Sequence, residues 1–139
     1  MTIVYLNSLR KHEILRRKQV ISELFRCRKS LKSDNIKIVY SFLDSGVKLP
    51  DSSAAAVLFA VSKRTVPKAV MRNRVKRLMK EAYRLEKSIL LQKKEIVGGM
   101  RENRTLCLAI IYIGGNRTLP EFASFRKEMN RLLRTLNGG

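Results

Sequence analysis

An α+β fold, with helices packed on a small sheet, is what three stretches of this 139-residue sequence predict. Residues 36–42 alternate cleanly: Ile36, Ile38, Tyr40 and Phe42 share one face, and Lys37, Val39 and Ser41 share the other, the two-residue period of a strand. Thr105 to Ile113 is almost wholly apolar and rich in β-branched residues, the pattern of a central strand buried on both faces. Between them, Val75, Leu78, Met79, Ala82, Leu85 and Ile89 recur at helical spacing. At 100° per residue they fall within an arc of roughly 120°, one face of an amphipathic helix. With 45% hydrophobic residues the chain can build a core, and its length suits one domain over residues 1–139.

Taken in order, residues 1–12 read as a loosely ordered lead-in. Glu13 to Arg28 carries Ile14, Leu15, Ile21, Leu24 and Phe25, a helical stripe from about Arg17 onward. Lys29 to Asn35 is polar and turn-like, before the alternating strand. Asp44-Ser45-Gly46 and Pro50-Asp51-Ser52-Ser53 bracket a short linker to a second strand, about Ala55 to Ser62. A further short strand has room around Thr65 to Lys68 or in that linker. Pro67 suits a helix entry, since its missing N–H costs little there. The helix predicted from Val70 to Gln92 would be roughly 30 Å long. Residues 93–104 are charged and contain Gly98-Gly99, a flexible loop. Gly114-Gly115-Asn116 ends the apolar strand, and Pro120 opens a last helix buried through Phe122, Phe125, Met129, Leu132, Leu133 and Leu136, with residues 137–139 as a tail.

Charge sets the class of partner. Thirty Lys and Arg against eleven acids give a formal charge of +19. Such self-repulsion makes sense for a protein whose usual partner is a polyanion, and nucleic acid fits best. An anionic membrane is the competing reading, weakened because no segment approaches 18 uninterrupted apolar residues. The charge concentrates in Lys63 to Arg84, where nine residues are Lys or Arg and only Glu81 is acidic. On the helix, Lys76, Lys80, Asn73, Arg84 and Arg77 lie between roughly 100° and 200° from Val75, with Arg74 just beyond. Glu81 and Glu86 lie off that arc, so the basic face is expected to be free for an external partner rather than laced by its own salt bridges. Guanidinium forks hold phosphate oxygens in pairs, and lysines act as point charges. Asn73 either bonds to a base or sugar or caps backbone at the helix start.

Catalysis by side chains is not expected. No carboxylate pair has a partner constellation, no glycine-rich phosphate loop precedes a helix, and His12 is the only histidine. Cys27 and Cys107 are eighty positions apart with no second ligand cluster near either, which excludes metal-finger spacing; Cys107 reads as a core thiol. Two unpaired cysteines and the lack of a signal-peptide pattern in Met1 to Leu9 predict a cytoplasmic protein.

Ala69-Val70-Met71-Arg72-Asn73-Arg74-Val75-Lys76-Arg77-Leu78, preceded by Val61-Ser62-Lys63-Arg64, closely resembles the signature of the bacterial ribonuclease P protein family. The resemblance extends more weakly over residues 15 to 136. It implies a four-stranded sheet in the order α-β-β-β-α-β-α, a two-layer sandwich. It implies that the protein assists a catalytic RNA, which hydrolyses precursor tRNA at the mature 5′ end using its own Mg²⁺, while the protein binds no cofactor, small-molecule substrate or membrane. Two RNA-binding surfaces follow from it. The basic helix (Arg72, Asn73, Arg74, Lys76, Arg77, Lys80 and Arg84) would face the catalytic RNA. A cleft between the first helix and the sheet would hold the single-stranded 5′ leader of precursor tRNA. Phe25 matches a family aromatic of that cleft, and Ser62, Lys63 and Arg64 match the family's Ser-Lys-Lys strand end. Tyr40 is the candidate on the first strand, or Val39 if the alignment shifts by one. Phe25 and Tyr40 each face either cleft or core. Ile21 stands where the family often has a second aromatic, and Arg28 where it often has glycine. A non-catalytic RNA-binding protein of ribosomal type is the alternative; a DNA-binding protein is disfavoured because no dimer seam or helix-turn-helix spacing appears.

Overall fold

A computed structural model describes residues 13–26, 29–43, 55–90, 105–115 and 119–138. The elements run α1 (Lys18–Arg26), β1 (Ser30–Lys32), β2 (Ile36–Leu43), β3 (Ala55–Ala60), α2 (Ala69–Glu86), β4 (Thr105–Tyr112) and α3 (Phe122–Gly138). The four strands form one mixed sheet in the order β1-β2-β4-β3. β2 runs antiparallel to β1 and β4, with Val39 opposite Ala109; β3 runs parallel to β4, with Val57 opposite Leu108. The α+β class and the element order match the expectation.

β4 is central, and its burial explains its composition. Cys107, Leu108, Ala109 and Ile110 are all buried, so neither face carries a polar residue there. The two faces differ in size. Leu108, Ile110 and Tyr112 point with Ile36, Ile38 and Val57 into the larger core, which α2 and α3 close with Val75, Met79, Tyr83, Phe125, Met129 and Leu133. Fully burying such a side chain contributes about 1.5–3 kcal/mol. On the opposite face, Cys107, Ala109, Ala56 and Val39 meet Leu15, Val20 and Leu24 from α1 and the segment before it. Three of those four sheet residues are small, which lets the short helix lie close to the strands. The two-layer arrangement expected from the sequence is therefore corrected: α1 adds a third, partial layer on the far face of the sheet.

Other boundaries move for physical reasons. β1 falls within Lys29–Asn35, expected to be a turn; it is a three-residue edge strand in which only Leu31 turns inward. The segment around Thr65 to Lys68, one of the places considered for a further strand, is a turn and connector. The helical run of α2 ends at Glu86, short of the expected Gln92, with a turn at Lys87 and residues 88–90 helical beyond it. α3 continues through Asn137 and Gly138, two of the three residues assigned to a tail. The expected lead-in 1–12, the linker 44–54 and the loop 93–104 lie outside the described residues.

Three long-range ties lock the layers. The Leu15 amide donates to the Val57 carbonyl at 2.8 Å, and Ile14 bridges to Val57, so the segment before α1 covers part of the open edge of β3. The Lys87 ammonium sits 2.9 Å from both carboxylate oxygens of Glu13, with the side chains 6% and 2% exposed. Burial, and secondarily this Glu13 carboxylate, push the Tyr83 phenol above its ordinary range. At the other end, Glu128 on α3 accepts from the Ser33 hydroxyl and from the Asn35 backbone and side-chain amides. Gly114 belongs to this corner: a Cβ there would come within 2.5 Å of Asn35 Oδ1 and 2.6 Å of the Tyr112 hydroxyl.

Candidate nucleic-acid interface

The basic helix is held from beneath and in front. Val75, Met79, Ala82 and Tyr83 are buried along its inner face, and the Tyr83 ring meets Phe59 of β3 edge-on at 5.9 Å between centroids. Before the helix, the Ser62 hydroxyl accepts from the Thr65 amide at 3.0 Å and Val66 is buried, fixing the turn that delivers the chain to Ala69. The N-cap is Lys68, with extended backbone and no side-chain cap. Asn73 is the fifth residue of the helix and exposed, so capping the helix start is excluded and its amide faces outward.

Arg74, Lys76, Arg77 and Lys80 are exposed beside Asn73. Val70, Asn73, Arg74 and Arg77 line a shallow concavity, and Val70 is 79% exposed. An apolar residue at the mouth of a cationic surface offers contact to a sugar or base face while the guanidinium groups hold phosphates.

Two members of the predicted face have other duties. Arg72 is half-buried and its guanidinium donates to the Val66 and Pro67 carbonyls at 3.0 and 2.7 Å, tying the connector to the helix it precedes. Arg84 makes a two-nitrogen contact to Glu81 Oε2, at 2.8 and 3.2 Å. The expectation that no acid neutralises the basic arc is thus corrected at one end. Glu81 lies off the arc by its Cα direction, but i,i+3 side chains of this length reach each other.

On the far face, α1 lies over β2 and β4. Phe25 projects from it and is 47% exposed, too open for a core residue. Tyr40 is not its partner. It packs half-buried against the larger core beneath α2 and α3, while Val39 faces α1. The assignment of Tyr40 to the cleft is corrected, and the alternative at Val39 fits, because strand alternation sends neighbours to opposite faces. Ser62, Lys63 and Arg64 are exposed, in the turn that follows β3 rather than in the strand. Arg28 lies outside the described residues.

The cleft face also holds residues the sequence reading passed over. Lys32 and Lys37 are register partners across β1 and β2, on the face shared with Val39. Like charges directly opposite destabilise a strand pair. Two cations paired on the sheet face that α1 covers, with Phe25 exposed on that helix, make a surface suited to an anionic ligand. The signal was present in the alternation that put Lys37 with Val39, but its partner Lys32 was hidden in a stretch read as a turn. Among the described residues, no group of three or more His, Cys, Asp or Glu is placed to hold a metal ion, and no helix is long and apolar enough to cross a membrane.

Comparison with known proteins bears on the family and the fold. A family model described as Ribonuclease P matches residues 9–137. A ribonuclease P protein component from Chlorobium phaeobacteroides is 46% identical over 136 residues, covering 98% of this chain and 92% of its own. One from Chlorobaculum tepidum is 37% identical over 133 residues, covering 94% and 83%. Among solved structures, the RNase P protein of Staphylococcus aureus superposes with a TM-score of 0.64 at 13% identity, covering 91% of this chain and 96% of that one. That of Thermotoga maritima gives 0.61 at 18%, covering 88% and 96%. At those identities the likeness is one of fold.

Proposed function

The chain belongs to the ribonuclease P protein family, and from that premise we propose that it is the protein subunit of a cytoplasmic ribonuclease P, binding a catalytic RNA and precursor tRNA in 5′ maturation. The observation that carries the proposal is the separation of the two surfaces by the sheet. The outer face of α2 presents Asn73, Arg74, Lys76, Arg77 and Lys80 to the catalytic RNA. The α1 side presents Phe25 and the Lys32–Lys37 pair to the unpaired leader, where stacking contributes about 1–3 kcal/mol per base. Lys63 and Arg64 add charge at the turn after β3. Arg72 and Arg84 support the helix and its charge rather than leading the contact.

The hydrolysis belongs to the RNA and its Mg²⁺; the protein holds no cofactor and supplies charge and position, not an acid or a base. The family match over nearly the whole chain favours this reading over a ribosomal-type RNA binder. Reconstitution tests it. Protein, catalytic RNA and precursor tRNA at low Mg²⁺ should give cleavage at the mature 5′ end, with none from the protein alone. Failure of the protein to raise cleavage by the RNA under those conditions would overturn it.

A further inference from the structure

The acids of the two long helices are spent on the fold. Glu81 holds Arg84, Glu86 accepts from Asn130 and approaches Arg126 at 3.7 Å, and Glu128 holds Ser33 and Asn35. Among the described residues none of these reaches Lys127, Arg131 or Arg134, three exposed cations of α3. At 100° per residue those three fall within an arc of about 60°, opposite the buried Phe125, Met129 and Leu132. They stack at i,i+4 and i,i+3, where like charges destabilise a helix.

One of them is held in place. The Asn130 side chain donates to Glu86 Oε1 at 2.9 Å, and its carbonyl oxygen accepts from Arg134 Nε at 2.8 Å. This relay crosses from α2 to α3 and fixes the exposed guanidinium by its Nε rather than by its terminal nitrogens. A fork fixed beforehand loses little freedom when it takes a phosphate.

We propose that Lys127, Arg131 and Arg134 on the outer face of α3 form a second phosphate-binding surface, which holds the backbone of the catalytic RNA, with Asn130 as the positioning residue for Arg134. The choice of partner rests on the reading of α2 given above. α2 and α3 pack together on one face of the sheet, so the α3 stripe lies on the same side of the sheet as the α2 surface, while the proposed leader surface lies on the opposite side with α1.

The test is the salt dependence of binding of the full-length protein to the catalytic RNA alone, with no tRNA. The triple variant Lys127→Gln/Arg131→Gln/Arg134→Gln should reduce the slope of log affinity against log salt by about 2–3, from three contacts at roughly 0.7–0.9 each. Arg131→Gln alone should reduce it by about 1. Asn130→Ala should leave the slope unchanged and weaken binding a few-fold at one salt concentration, because it removes orientation and no charge. All should melt like wild type by circular dichroism. Arg74→Gln/Arg77→Gln is the control on α2. An unchanged slope for the α3 variants beside a reduced slope for the α2 control would overturn the second surface and leave the proposed function standing. An unchanged slope for both would overturn both. In a parallel titration of the reconstituted enzyme with precursor tRNA, a loss confined to that step would also overturn the assignment.

Discussion

Replacing Lys87 with Met should destabilise this fold by about 3–5 kcal/mol, because it removes the ammonium from a buried carboxylate while leaving the carboxylate in place. Glu13 is 2% exposed, and the Lys87 ammonium donates to both of its carboxylate oxygens at 2.9 Å. The methionine that replaces the lysine offers no donor in place of the ammonium. For a domain of ordinary stability, about 5–15 kcal/mol, this is about a fifth of the total or more. Removing both charges is a different perturbation. Glu13→Leu with Lys87→Met leaves no buried ion to desolvate, and such replacements are often near neutral, so the double variant should recover at least half of the loss. Urea unfolding followed by circular dichroism measures both, with an unchanged slope against urea showing that only stability moved. The reasoning fails if Lys87→Met lies within about 1 kcal/mol of wild type, or if the double variant is as unstable as the single. Function is at stake as well, since this pair ties the segment before α1, on one face of the sheet, to the end of the basic helix on the other.

Phe25→Ala should weaken binding of precursor tRNA with a leader of several nucleotides by about 1–3 kcal/mol, leave mature tRNA unaffected and leave the melting curve nearly unchanged. Tyr40→Ala should do the reverse, costing about 1–3 kcal/mol of stability because its ring packs on the larger core; equal effects on leader binding from both would put Tyr40 back in the cleft. Tyr83 gives a pH signature. Its folded phenol keeps its proton above the ordinary range, whereas the unfolded chain releases it near about pH 10. The folded state then binds more protons, so stability is flat below about pH 10 and falls as pH rises beyond it. Tyr83→Phe should flatten that alkaline fall in urea midpoints measured from pH 8 upward, and an unaltered fall would place its cause elsewhere.

Elements with a long periodic signal were legible before the structure. β2 alternates over its whole length, β4 is apolar because both faces are covered, and α2 and α3 each bury one stripe. What escaped was short or non-local. β1 has three residues and a single inward side chain, too little to stand out from a turn. Glu13 lies seventy-four positions from Lys87, and a lone acid at the start of the Glu13 to Arg28 stretch carries no local mark of burial. Alternation put Tyr40 and Val39 on opposite faces but left open which face α1 would cover. The small residues Ala56, Cys107 and Ala109 decide it, since they make that face shallow enough for a helix to approach. At the basic helix, the pattern located the charge correctly. It did not reveal that Arg72 turns back to two carbonyls of its own connector or that Arg84 reaches Glu81.

Arg74 and Arg77 therefore carry the central claim, being exposed, three apart on the helix and able to straddle one phosphate. Replacing both with Lys keeps the charge and removes the planar forks. The measurement is the cleavage rate of precursor tRNA by the reconstituted enzyme as a function of Mg²⁺, for wild type and the double variant, beside melts by circular dichroism. The account predicts matching melts, lower activity for the variant at limiting Mg²⁺, and recovery of much of the loss as Mg²⁺ rises. Superimposable Mg²⁺ curves would contradict it, leaving α2 a source of diffuse charge only.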